Sequence, residues 1–318
     1  MCDFTAASIS ALLEISYIFG QTKKSKMNTF YKNSGQFSPI SFLYFLLVAL
    51  LIFPIVGVIY AYAIWYIPFI YINFLIAGAL GFVMGRLISF FVLKKGKVRN
   101  VPLAIVYGIV GGLIGMYFHW AAWIDLVANI SDTMGNDRIG VAISNIEIFQ
   151  FLYFVNNPSI LFEAIDQVNE FGTWGIKSAP VSGTFLSVIW IIELIIVVGA
   201  TVLFSHGQAK NPFSEKLNEW NKEMSPRLFG KIEDLETILN GVQNDDPAFF
   251  ESLSPYKEGE SYGSFTLFHI DGDDSYLDIS NQIASKNKKG ELEYDEQHLT
   301  VGIAVKPQVQ DHLLSLMK

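Results

Sequence analysis

Two charged residues lie deep inside otherwise apolar runs. Arg86 is the one charge between Pro39 and Leu93, and Glu193 is the one charge between Thr184 and Phe204. At 1.5 Å per helical residue, Arg86 lies about 10 Å from Leu93 and Glu193 about 16 Å from Phe204. A charge at such depth costs at least ~2.5–3.5 kcal/mol on insertion scales, and an opposite charge nearby offsets part of that. The depths differ by about 6 Å, within reach of an arginine side chain. An Arg86–Glu193 ion pair is therefore expected, as structural glue or as part of a proton or ion pathway. Snorkelling of Arg86 toward the cytoplasm competes with it, as does a Glu193 kept neutral by protonation. His119 and Asp125 stand beside Trp120 and Trp123, where they are expected to meet water.

Other chemistry is sparse. The five histidines, His119, His206, His269, His298 and His312, show no HExxH or comparable ligand spacing. His269 and His298 are candidates to approach across a sheet, but a metal site needs more ligands. Asp271, Asp273 and Ser275 match the first, third and fifth positions of a calcium loop; Tyr276 at the sixth and Gln282 at the twelfth do not. This stretch reads as a solvated hairpin turn. Cys2 is the only cysteine, so no intrachain disulfide forms. There is no P-loop, GxGxxG or GxSxG, and no internal repeat of the inverted-transporter kind. No catalytic residue, metal ligand or cofactor is assigned, and no enzymatic activity is expected.

The elements that must position these residues divide the chain sharply. It is 51% hydrophobic and 16% charged, against about 25% charged in soluble domains. The net charge of −8 belongs to the tail: residues 206–318 carry 11 Lys/Arg and 20 Asp/Glu. That balance excludes nucleic acid as a partner, since phosphate binding needs Lys and Arg, and should repel anionic headgroups.

A bilayer core of ~30 Å takes about 20 helical residues, so the run from Pro39 to Leu93 must cross twice. The break belongs at Pro68, which disfavours helix at the residue before it. The spans are placed at about 41–65, 69–93, 101–122 and 184–204, with Pro54 as a kink in the first. Lys23, Lys24, Lys26 and Lys32 precede the first span. Lys94, Lys95, Lys97 and Arg99 join the second and third, and Lys210, Lys216, Lys222 and Arg227 follow the fourth. The loop 123–183 holds only Arg138 and Lys177. By the positive-inside rule both termini are cytoplasmic and this loop is extracytoplasmic. Trp65, Tyr66, Tyr71, Trp120, Trp123 and Trp174 then fall near the outer interface. The pattern has the general look of bacterial multi-pass proteins, which makes a cytoplasmic (inner) membrane the expected location. Residues 1–38 form a cytoplasmic segment in which Met27 is an alternative start; a peptide covering Ala6 to Lys23 would exclude that.

Within the loop, Ile146 to Val155 is apolar but too short to span. Asn157-Pro158 opens a helix whose Leu161, Ala164, Ile165 and Val168 share one face. One or two amphipathic helices on the membrane surface or against the bundle are expected, with a re-entrant segment as the second reading. Ala77, Gly81 and Gly85 on span two, and Ala104, Gly108 and Gly112 on span three, repeat small residues every four positions. Such stripes let helix backbones approach, so spans two and three are expected to form a tight antiparallel hairpin, or alternatively a dimer contact.

For the tail, helices are expected from Asn211-Pro212, Ser225-Pro226 and Asp246-Pro247, each a cap followed by proline. The second carries Leu228, Ile232, Leu235, Ile238 and Leu239 on one face. Strands are expected at 264–270 and 276–282 around Asp271-Gly272, then one or two more over 292–305 broken near Asp295-Glu296, and a helix from Pro307 to Leu316. The fold class is thus an α-helical membrane bundle with a C-terminal cytoplasmic α+β domain over 206–318. The functional expectation is a membrane-embedded interaction or scaffold protein presenting that acidic domain to a protein partner. The alternative is a small-solute or ion channel or transporter using Glu193 and Arg86, as a homo-oligomer.

Overall fold

The computed structural model describes residues 30–317, apart from 68, 137–138, 173 and 177–178. Met27, Arg138 and Lys177 lie outside the described residues, as does the side chain of Trp174. The chain forms two compact units, Asn33–Phe213 and Ser214–Lys318; the described residues 30–32 group with the second.

Among the described residues, the first unit holds four helices long and apolar enough to cross a membrane. Helix α1 is Ile40–Tyr66, α2 Ile70–Lys94 and α3 Val101–Ala128. The fourth, numbered α6 below, runs Gly183–Ser205 and continues as a 3-10 turn, His206–Lys210. At 28 residues, α3 runs past the span end expected near Ala122. Pro54 is accommodated by a π turn, Val48–Ile52, immediately before it. A wider turn absorbs the missing N–H and the proline ring. Asn100 starts α3 by accepting the Leu103 N–H at 2.8 Å.

Between α3 and α6 come a hairpin of β1 (Ile130–Asn136) and β2 (Ile139–Ser144), then helices α4 (Ile148–Asn156) and α5 (Pro158–Phe171). A short hairpin follows, β3 (Trp174–Ile176) with β4 (Ala179–Val181). Helix α4 runs alongside α3. The Glu147 N–H reaches the Asp125 carboxylate at 2.9 Å, and Gln150 accepts from Asn129 at 2.9 Å. Further on, the Tyr117 hydroxyl donates to the Val155 carbonyl at 2.8 Å. The chain turns at Asn157, and α5 returns until Asn169 donates to Ser187 at 3.1 Å. The pair is a helical hairpin whose tip points toward the middle of α3. Phe151, Phe154 and Leu161 join the bundle core, while Phe149 and Phe162 stay exposed.

The small-residue stripes pack differently from expectation. A Cβ on Gly81 would lie 2.6 Å from both the Ala200 Cβ and the Val197 carbonyl oxygen, and one on Gly85 would lie 2.7 Å from the Thr201 oxygen. Cβ atoms on Gly108 and Gly112 would lie 2.9 Å from the Val202 Cα and 3.0 Å from the Val198 Cα. Both stripes therefore face α6, which lies between α2 and α3. These two touch through Met84 and Ile88, which fill the space beside Gly115 and Gly111. Ala77 and Ala104 are fully buried. The expected α2–α3 hairpin is replaced by a layer with α6 at its centre, because either stripe can accept any smooth helix and α6 offers Val197, Ala200 and Thr201 to one and Val198 and Val202 to the other.

The second unit is α+β. Its sheet runs in the order β9–β8–β7, with β5 and β6 both paired to the far edge of β7. These strands are β5 (Lys222–Glu223), β6 (Arg227–Gly230), β7 (Tyr262–His269), β8 (Ser275–Lys286) and β9 (Leu292–Val305). Helices α7 (Leu235–Asn244) and α8 (Pro307–Leu316) contribute Ile238, Val242, Val309 and Leu313 to a core with Phe265, Leu267, Leu277, Ile279 and Ile303.

Four expectations fail here. The segment after Asn211-Pro212 is extended and turn rather than helix. The Ser225-Pro226 segment becomes strand β6, because Arg227 to Gly230 pair with β7; the helix starts later, where Asp234 accepts from the Thr237 N–H at 3.0 Å. Asp246-Pro247 starts only a 3-10 turn, Pro247–Ser252. Strand β9 is continuous through Asp295 and Glu296, and its irregularities fall nearer Gly302, where the β8–β9 register shifts.

Candidate functional site

The first unit buries a small polar centre where three helices meet. Glu193 lies about 15 Å along α6 from Gly183 and about 18 Å from Ser205. It is 9% exposed. Its carboxylate accepts a hydrogen bond from the Tyr60 hydroxyl of α1. The Tyr60 ring packs edge-on to His119 of α3, with centroids 4.7 Å apart. Gly57, one helical turn before Tyr60, admits α3 closely: a Cβ there would lie 2.9 Å from the His119 backbone nitrogen. The glycine thus sets the distance at which Tyr60 meets His119. The His119 and Trp120 ring centroids are 5.4 Å apart, and Trp120 packs against Trp190 at 4.7 Å and Trp123 at 5.6 Å.

Arg86 is not part of this centre. It is exposed, and its guanidinium forms none of the ion pairs found among the described residues. The expected Arg86–Glu193 pair is replaced by Tyr60–Glu193. Depth along two helices says nothing of azimuth: Gly85 faces α6, and one residue later the helix has turned about 100°. His119 and Asp125 also depart from expectation, being 1% and 0% exposed rather than open to water. Asp125 is enclosed because α3 continues beyond the expected span end and α4 packs against it. Tyr60 carried no sequence signal, since a tyrosine within FPIVGVIYAYAIWY reads as one more apolar residue.

Three buried polar atoms at one end of the bundle have no hydrogen-bond partner among the described residues: Asn73 Oδ1, His119 Nδ1 and Asp125 Oδ1. A buried polar atom left unpaired costs about 1–3 kcal/mol. Their concentration in the half that carries α4 and α5 marks that half as the one with unsatisfied polar atoms. In the other half, the hydroxyls of Thr201 and Ser205 are satisfied by their own helix, at 2.8 Å to Val197 and 3.2 Å to Val202.

In the second unit the acidic Asp271–Asp274 segment is a hairpin turn tied down by its neighbours. Ser214 donates to Asp273, Lys216 reaches the Gly272 carbonyl at 2.8 Å, and His269 approaches Asp271 at 3.1 Å. His269 and His298 do not meet, because β8 lies between their strands. No group of three or more metal-ligating side chains occurs among the described residues.

A second feature of this unit is its long ribbon. Strand β7 pairs with β8 only from Tyr276 to Gln282, whereas β8 and β9 stay paired to Lys286 and Leu292. The outer part carries Leu292 and Tyr294, 44% and 36% exposed, flanked by Glu291, Glu293, Asp295 and Glu296. Tyr294 continues an aromatic row with Tyr262 and Tyr256, each pair 5.2 Å apart.

Compared with known protein families, curated proteins and solved structures, the chain finds no match.

Proposed function

We propose that this is a multi-pass membrane protein whose four-helix bundle anchors the C-terminal α+β region as a non-catalytic interaction platform on the cytoplasmic side. The observation that carries this reading is the β8–β9 ribbon. An isolated two-stranded ribbon is marginal in water, and its outer strand residues add nothing to the core. Exposed Leu292 and Tyr294 within an acidic rim instead suit a protein partner with an apolar pocket and basic surroundings. The cytoplasmic placement rests on the basic residues at both ends of the bundle and between spans two and three, and the bacterial inner membrane is the location that goes with it. The lipid bilayer is the bundle's own partner. A transport route lined by Arg86 and Glu193 has less support, since the two residues do not meet.

The test is purification from the native membrane in mild detergent, comparing wild type with the Leu292→Ser, Tyr294→Ser double variant. A protein, or a second copy of this chain, retained by wild type and lost from the variant supports the reading. The same associated proteins in both samples would remove the ribbon as the interaction surface.

A further inference from the structure

We propose that Glu193, Tyr60 and His119 form an intramembrane proton-binding site that exchanges with one side only, the side of α4 and α5. Three observations converge on it. Glu193 is a buried carboxylate whose partner is a hydroxyl and not a cation, so a bound proton is the ligand that neutralises it without a cavity. His119 Nδ1 is buried, has no partner among the described residues, and sits beside the same tyrosine, so it is placed to take or give a proton or bind a water. The remaining unpartnered polar atoms, Asn73 Oδ1 and Asp125 Oδ1, belong to the end of the bundle where α4 and α5 pack. Toward the opposite end the helices close on backbone contacts at Gly81, Gly85, Gly108 and Gly112, and the buried hydroxyls of Ser41, Thr201 and Ser205 there already have hydrogen-bond partners.

The charged and titratable groups around Glu193 are few. Helix α1 offers Tyr60, and α3 offers His119 and Asp125. Helix α2 brings Arg86, which is exposed, and α5 brings Glu163, Asp166 and Glu170, also exposed. Proton uptake by the Glu193 carboxylate, with the Tyr60 O–H bond left intact, changes the charge of the bundle interior by one. A site open to one side senses the proton concentration there and moves no proton across. This goes beyond the anchoring role and does not depend on the ribbon.

Infrared titration of the purified full chain tests the proposal. Wild type should show a neutral-carboxyl carbonyl band that shifts in heavy water, disappears as pH rises, and is absent in Glu193→Gln. His119→Gln should move the midpoint of that titration by about one pH unit. In parallel, a hydrophobic carbodiimide applied to wild type should give an adduct that peptide mapping places on Glu193, which needs no variant to fold. Proteoliposomes holding an internal pH dye should show no proton flux in wild type. A Glu193 that gives neither band nor adduct, or a band unchanged at every pH, overturns the proton site. Proton flux that Glu193→Gln abolishes overturns the one-sided access.

Discussion

The two units solve the same problem of cohesion with opposite materials. In the bundle, glycine and alanine sit at the contacts, and large side chains such as Leu51, Ile55 and Leu75 point outward. In the α+β region, Phe265, Leu267, Leu277 and Ile279 fill the centre and the charges lie outside. The difference is the one that lipid around the bundle, as proposed, and water around the second unit would produce. Lipid gives apolar side chains no reason to leave it, so close backbone approach and dispersion must hold helices together. Water expels them, so burial of large side chains holds the sheet and its helices. Polar groups follow the same division. In the bundle Tyr60 serves Glu193, while Asn73, His119 and Asp125 each keep one buried polar atom without a partner among the described residues. The polar groups of the second unit need a partner mainly where the chain departs from a regular ladder.

Gly302 is such a place. It has φ +68°, a region that favours glycine, and it lies where β9 carries an extra residue relative to β8. The bulge leaves backbone groups without ladder partners. Asp278 accepts the Gly302 N–H at 2.6 Å, and the Gly302 carbonyl accepts from the Tyr31 N–H at 2.7 Å. The Tyr31 ring also packs edge-on to Tyr276, with centroids 5.1 Å apart. Burial, together with Asp274 and Asp273 nearby, pushes the Tyr276 hydroxyl up to about 12.

The contrast can be broken from either side. The largest effect is expected for Gly81→Leu or Gly112→Leu. Each added side chain meets backbone of α6, so the cost should exceed the ~1–3 kcal/mol usual for overpacking and appear as loss of monodisperse protein in detergent. Gly199→Ala is the control: nothing lies within 4 Å of a Cβ there, and it should be neutral or stabilising by up to about 1 kcal/mol. Retention of normal elution by both leucine variants would refute glycine-mediated packing. In the second unit, Phe265→Ala should cost about 3–5 kcal/mol in chemical unfolding, the usual loss for a fully buried phenylalanine.

A smaller and pH-dependent effect belongs to Asp278. Burial raises its carboxyl above the ordinary aspartate range, offset in part by the Gly302 N–H. The folded state therefore binds that proton more tightly than the unfolded state. Stability falls as pH rises from the ordinary aspartate value through the raised one, and the loss is complete above it. Asp278→Asn keeps an acceptor for Gly302 and should remove this slope, leaving the variant more stable than wild type at neutral pH. Unfolding midpoints measured across that window would show parallel curves if the account is wrong. The smallest effect is expected at the ribbon. Leu292→Ser should stay within about 0.5 kcal/mol, as exposed positions usually do, and Tyr294→Ser, which also loses its ring contact with Tyr262, should cost about 0.5–1.5 kcal/mol.

The four long apolar helices were readable in the sequence because uninterrupted apolar length is a one-dimensional property, and Asn100 fixes where one of them starts. Who touches whom was not. The stripes Ala77-Gly81-Gly85 and Ala104-Gly108-Gly112 declare smooth faces without naming the helix that fills them. Arg86 and Glu193 had compatible depths but incompatible directions. In the second unit, the hairpin at Asp271-Gly272 was visible because turn chemistry is local. Leu228 was assigned to a helix because its spacing to Ile232 and Leu235 is helical; pairing with Phe265 and its neighbours, remote in sequence, decided otherwise. Of the candidate site, Glu193 was legible as a lone charge, whereas Tyr60 and the burial of His119 depend on three helices meeting.

The central claim, that the chain threads a membrane four times with α4–α5 on one side and the α+β region on the other, has a direct test. In a Cys2→Ser background, single cysteines at Ser131 and Ser285, both outside the four long helices, would be probed in intact cells with a membrane-impermeant maleimide. The account predicts labelling of Ser131→Cys from outside and of Ser285→Cys only after permeabilisation. Equal labelling of both positions from outside would contradict it.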